Sequence, residues 1–165
     1  MAAVTFLFSA CNKDSYPVFS TKYRVQFSCD MGRPPFKQAA DTPGRFITIR
    51  RGVGKLAVTD PDGNCTDVEL TKQQDMTFRM GLAGLILGKP TFNNESNEVW
   101  AYDLGCPQCD VELYMLSVSV DGTATCSHCH NSWNLNGGGF PITGGVRTLY
   151  RYPTSAFGQS LTVSN

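Results

Sequence analysis

Cys106-Pro107-Gln108-Cys109, then sixteen residues, then Cys126-Ser127-His128-Cys129 is the stretch on which the fold of this chain turns. Two thiolates two residues apart can be aimed at one point from a tight backbone knuckle. Two such knuckles brought together supply the four soft ligands of zinc or of an iron-sulfur cluster. The sixteen residues between them carry the means of bringing them together: a strand-like run Val111 to Val120, the dipeptide Asp121-Gly122, and the run Thr123-Ala124-Thr125. Asp-Gly between strand-like runs is a strong hairpin signal, so the second pair returns beside the first. The competing reading is two disulfides or redox-active C-x-x-C motifs. One such motif normally opens a helix in a βαβ unit, and that pattern is missing here.

Outward from this stretch the chain reads as short strands divided by turns. Tyr23, Val25, Phe27 and Cys29 alternate with polar residues, the period of a half-buried strand, which Met31 to Pro35 ends. Phe46 to Ile49 and Leu56 to Thr59 flank a glycine turn as a hairpin, and Asp60-Pro61-Asp62-Gly63-Asn64 closes its second arm. Leu70 to Met80 mixes helix formers with an alternation of Met76, Phe78 and Met80, and we read it as extended. Gly81 to Gly88 is an apolar run broken by glycines, too short to span a bilayer and suited to a bulged strand. Val99 to Asp103 forms a strand leading into the first cysteine pair, and Thr148 to Tyr152 and Ser160 to Val163 give two more. Many short strands with turn signals predict an all-β, antiparallel sandwich or barrel.

Composition agrees. Sixteen glycines, nine prolines and 17% charged residues imply turns and short strands rather than long surface helices. With 165 residues, one domain is expected. Fourteen basic and fourteen acidic side chains leave no net charge, which argues against nucleic acid and acidic membrane surfaces as partners.

Residues 1–11 form an apolar run that ends in small residues directly before Cys11 and is followed by Asn12-Lys13-Asp14-Ser15. This reads as an export signal and resembles a bacterial lipobox, whose cysteine becomes the lipid-carrying N-terminus, with Phe8 where leucine is more usual. No Lys or Arg precedes the apolar stretch, which points to a translation start further upstream. The expected organisation is an export signal over 1–11, a tether over 12–22 and one β domain over 23–165, with a metal-binding subdomain at about 99–146. Cys29 and Cys65, on a strand and in a loop, are a candidate disulfide in an oxidising compartment, with free packed thiols the equal alternative.

At the second knuckle the residues Cys126-Ser127-His128-Cys129-His130-Asn131-Ser132-Trp133, followed by a glycine turn, resemble the second cluster loop of Rieske iron-sulfur domains. Val99 to Pro107 is similar to the strand and first cluster loop of that family, and Gly139 to Val146 to its proline and glycine loop. The resemblance covers roughly residues 46 to 165 and implies a Rieske-like β domain. In that family two histidines ligate one iron. Here Gln108 takes the first histidine place with Cys109 one residue beyond, and Cys129 takes the second. The chain thus looks most like an exported Rieske-like lipoprotein with a four-cysteine site.

The expected ligands are Cys106, Cys109, Cys126 and Cys129. His128 and His130 are expected beside the site, exposed or hydrogen-bonded to a sulfur, because four thiolates already close a tetrahedron. Zinc is the first cofactor reading and a 2Fe-2S electron-transfer cluster the alternative, with thiol-disulfide oxidoreductase third. No catalytic residues are expected, since a catalytic zinc keeps an open position and no nucleophile with its base is visible. The expected location is the bacterial cell envelope, held by lipid on Cys11; a redox partner protein is undefined.

Overall fold

The computed structural model describes residues 19–92, 98–143 and 147–165. Cys11, with the export signal and most of the tether, lies outside the described residues. The described elements run β1 (Val25–Asp30), α1 (Lys37–Asp41), β2 (Phe46–Arg51), β3 (Lys55–Thr59), β4 (Cys65–Glu69), α2 (Lys72–Thr77), β5 (Arg79–Met80), β6 (Leu85–Gly88) and β7 (Trp100–Asp103). They continue with β8 (Leu116–Val118), β9 (Thr123–Cys126), β10 (Ser132–Asn134), β11 (Phe140–Pro141), β12 (Arg151–Tyr152), β13 (Thr154–Phe157) and β14 (Ser160–Ser164). The fold is all-β.

Three open antiparallel sheets form three layers rather than a closed barrel. The central sheet has the order β12-β7-β6-β2-β3-β4, one outer sheet the order β13-β14-β1-β5, and the other the order β11-β10-β9-β8. Side chains alternate across a strand, so a strand covered on both faces must be apolar on both. That accounts for β6: Leu85 and Leu87 enter the core shared with Val25, Phe27, Leu161 and Val163, while Ile86 enters the core shared with Leu116, Ala124 and Trp133. The neighbouring strand β7 divides in the same way, Ala101 to one core and Tyr102 to the other.

Two expectations need correction. Leu70 to Met80 is not extended throughout, because Thr71 caps α2 with a complete capping box: its hydroxyl accepts from the Gln74 N–H at 3.2 Å, and the Gln74 side chain accepts from the Thr71 N–H at 2.9 Å. Of the alternating residues only Phe78 and Met80 are buried, and Met76 is exposed. The run Val111 to Val120 is also not one strand. A turn closed by the Tyr114 N–H on the Val111 carbonyl, 3.1 Å, occupies its first part, and pairing begins at the Gly105–Met115 bridge.

Candidate metal centre

Strand register carries the two cysteine pairs to one place. The Cys106 N–H donates to the Tyr114 carbonyl at 2.9 Å, and two residues on, Leu116 stands opposite Cys126 in the β8–β9 pairing. The hairpin turn is fixed by Asp121, whose carboxylate accepts from the Thr123 N–H at 3.0 Å and its hydroxyl at 3.1 Å, while Gly122 takes φ +78°. A side chain at Gly122 would meet the Asn136 amide 2.4 Å away, so both backbone sign and space call for glycine.

The two knuckles have the same construction. In the first, the Asp110 N–H returns to the Cys106 carbonyl at 2.8 Å; in the second, the His130 N–H returns to the Cys126 carbonyl at 2.9 Å. The residue after each second cysteine is left-handed, Asp110 at φ 59° and His130 at φ 58°. This region is uncommon for side-chain-bearing residues but enriched in Asp and His. The first cysteine of each pair, Cys106 and Cys126, is buried in the core that holds Leu116, Ala124 and Trp133, and the second, Cys109 and Cys129, is half-buried. The four sulfurs lie within 4.8 Å of one another, with Cys106 to Cys129 at 3.6 Å and Cys109 to Cys126 at 3.9 Å. Such a group of thiols is able to hold a metal ion.

The surroundings bias their charge. Burial pushes the Cys106 thiol up, against the Cys109 N–H that points at its sulfur from 3.5 Å. Burial likewise pushes Cys109 up, to about 11. At Cys129 burial raises the thiol, but hydrogen bonds from the backbone and side chain of Asn131, and then the Cys106 and Cys109 thiols, outweigh it and bring it to about 7. His128 stacks on Tyr114 with ring centres 3.8 Å apart and sets Nδ1 3.4 Å from the Cys109 sulfur. His128 thus stands beside the Cys109 sulfur, while His130 serves the second knuckle through its left-handed backbone.

Two carboxylates that the sequence argument passed over hold the first knuckle. Asp103, fully buried at the end of β7, accepts from the Gly105 N–H at 2.6 Å, the Tyr152 hydroxyl at 2.6 Å, the Leu82 N–H at 2.7 Å and the Ala83 N–H at 3.2 Å. Burial raises its pKa against the opposing pull of these four donors. Asp110 accepts from the Tyr150 hydroxyl at 2.7 Å, the Tyr23 hydroxyl at 2.9 Å and the Lys22 ammonium. Lys22 first, and then Tyr150, hold its carboxyl down at about 2. A charged residue closing an apolar strand was a readable signal for Asp103. Nothing in the sequence pairs Asp110 with Lys22, 88 residues away.

The second knuckle rests on Trp133, fully buried, whose indole N–H donates to the Arg147 carbonyl at 2.7 Å. Burying such a side chain stabilises by roughly 2–3 kcal/mol, which ties the returning chain to the floor of the site. Elsewhere, Cys29 and Cys65 are both free thiols. Cys29 lies on β1 of an outer sheet, and Cys65, expected in a loop, opens β4 at the edge of the central sheet. The candidate disulfide between them is therefore corrected to two separate thiols.

No protein-family model matches this chain, and no curated protein matches it as a relative. Among the described residues no helix is long and apolar enough to cross a membrane.

Proposed function

We propose that this chain is a Rieske-like lipoprotein of the bacterial cell envelope whose four thiolates hold a single zinc ion as a structural staple. The observation that carries this reading is the sulfur spacing. A tetrahedral zinc with Zn–S bonds of about 2.3 Å sets its sulfurs about 3.8 Å apart, and the contacts across the two knuckles are 3.6 and 3.9 Å. A two-iron cluster seats one thiolate pair beyond each iron, which pushes the pairs apart; four sulfurs all within 4.8 Å favour one central ion. Zinc bound there would join the loop after β7 to the loop after β9 and close its own coordination shell, leaving no position for water or substrate. The staple reading thus favours a protein that is not an enzyme. The Rieske-like part rests on the motif around Cys126 to Trp133 and is supported by a small separate sheet, β8 to β11, which the first loop enters from β7 and which carries the second loop between β9 and β10.

Elemental analysis and a visible spectrum of anaerobically purified protein test the reading. One zinc per chain, no colour, and no spectral change with dithionite are expected. Two irons and two labile sulfides per chain, with visible bands that bleach on reduction, would replace the staple with an electron-transfer cluster. The anchor is tested at Cys11, where Cys11→Ala in a bacterial host should abolish incorporation of labelled lipid. Equal labelling of both proteins, or of neither, would remove the lipoprotein reading.

A further inference from the structure

We infer that the same four cysteines form a second covalent state, two disulfides that cross between the knuckles, Cys106 to Cys129 and Cys109 to Cys126, when a peroxide oxidises the site. In one respect the inference rests on the staple reading: only its zinc-release arm needs the metal.

Among four sulfurs that all lie within 4.8 Å of one another, the contacts across the knuckles point to this pairing. Each sulfur of the two cross-knuckle pairs already stands at contact distance from its partner, 3.6 and 3.9 Å. A disulfide needs a separation of about 2.05 Å, so each pair closes by drawing together two sulfurs that already face each other. Within the first knuckle the Cys109 N–H is directed at the Cys106 sulfur from 3.5 Å, and the backbone is closed by the Asp110-to-Cys106 hydrogen bond. Both interactions suit an open thiolate pair. Cross-knuckle bonds also join residues 23 and 17 apart in sequence, against 3 within a knuckle, and longer closed loops remove more freedom from the unfolded chain. The oxidised site therefore keeps the knuckles in the arrangement that the four clustered sulfurs already show.

The chemistry balances with peroxide as the oxidant. A thiolate attacks one peroxide oxygen to give a sulfenic acid as the O–O bond breaks and, with one proton, water leaves. The facing thiolate then attacks the sulfenic sulfur, the S–S bond forms, and the hydroxyl departs as water after taking up a second proton. For the four thiolates together, two hydrogen peroxide molecules and four protons yield two disulfides and four waters, and a zinc ion held by those thiolates would be set free.

The test uses the full chain, loaded with zinc, treated with two equivalents of hydrogen peroxide and then blocked with N-ethylmaleimide. No Lys or Arg lies between Pro90 and Val146, so trypsin leaves all four cysteines in one fragment, whereas a Glu-specific protease cuts after Glu112, between the knuckles. The expected result is two knuckle fragments joined until reduced, with zinc released to a chromogenic chelator. Double variants assign the pairs without metal. C106S/C129S and C109S/C126S should each form their remaining disulfide at least tenfold faster than C126S/C129S, C106S/C109S or C106S/C126S. Fragments that separate before reduction, sulfinic acids in place of disulfides, or a faster bond in any other pair would overturn the inference. If the reduced chain binds no zinc while the fragments stay joined, the staple fails and the disulfides stand. If zinc binds and the fragments separate, the reverse holds.

Discussion

Replacing Asp103 with alanine removes the acceptor of four donors at once. Two of them, the Gly105 N–H and the Tyr152 hydroxyl, both at 2.6 Å, are buried beyond the reach of water. A buried donor left without a partner costs about 2 kcal/mol, so these two contribute about 4 kcal/mol before relief is counted. Relief comes from deleting a carboxyl whose own burial is unfavourable, as its raised pKa indicates. A net loss of about 3 kcal/mol follows, a Tm drop of roughly 6–12 °C for a chain of this size. Asp103→Asn keeps the shape but turns an N–H2 group toward either Leu82 and Tyr152 or Gly105, so its loss should be smaller. Tyr152→Phe removes one donor with its bond and should cost about 1–2 kcal/mol. Urea unfolding of all three variants, with and without a chelator, reads the series. Asp103→Ala within about 1 kcal/mol of the parent in both conditions would refute the claim that this carboxylate organises the lead-in to the first knuckle.

Other expectations follow from single sites. Cys106→Ser, Cys109→Ser, Cys126→Ser and Cys129→Ser should each lose stoichiometric metal by elemental analysis and melt at lower temperature, because metal binding is linked to ordering of the knuckles. His128→Ala should retain the ion but yield it faster to a chelator, since Nδ1 stands 3.4 Å from the Cys109 sulfur; complete loss of metal would make the imidazole a ligand. Burial, and then the Asp30 charge, pushes Cys29 up to about 12. The unfolded chain releases this proton above pH ~8.5 while the folded chain keeps it, so stability falls as pH rises from there to about 12, by about 1.4 kcal/mol per unit. The unfolding free energy of Cys29→Ala relative to the parent should therefore be flat below that window and shift in the variant's favour within it; a flat difference throughout denies the burial effect. Gly81→Ala places a methyl 2.2 Å from an Asp103 oxygen and 2.7 Å from the Tyr152 hydroxyl at φ +72°, and a loss of at least about 2 kcal/mol in chemical denaturation is expected.

Local chemistry made part of this molecule readable. The Asp121-Gly122 turn and the thiol spacing name the hairpin and the cluster because each depends on adjacent residues. The apolar run Gly81 to Gly88 reads as a bulged strand, but only Leu85–Gly88 is strand, and its burial on both faces depends on sheets built from both ends of the chain, which no periodicity reports. The helix α2 was legible in Thr71 and Gln74, and the alternation of Met76, Phe78 and Met80 masked it because an exposed methionine carries the same letter as a buried one. His128 could be placed near a sulfur from its position inside a knuckle. The partners of Asp110 come from Lys22, Tyr23 and Tyr150, and only the folded topology brings those together.

That meeting has a mechanical consequence. Phe19 to Tyr23 is fastened by the Ser20 N–H on the Arg151 carbonyl at 2.7 Å and by the Asn165 amide on the Ser20 and Tyr23 carbonyls at 2.9 and 2.7 Å. Lys22 and Tyr23 also grip Asp110, the residue covalently next to Cys109. A force drawing the chain outward ahead of Phe19 thus meets several bonds loaded together before it reaches β1, and part of it is delivered to the peptide that carries Cys109. Tension on the N-terminal segment and retention of Cys109 in its place among the four sulfurs are for this reason parts of one load path.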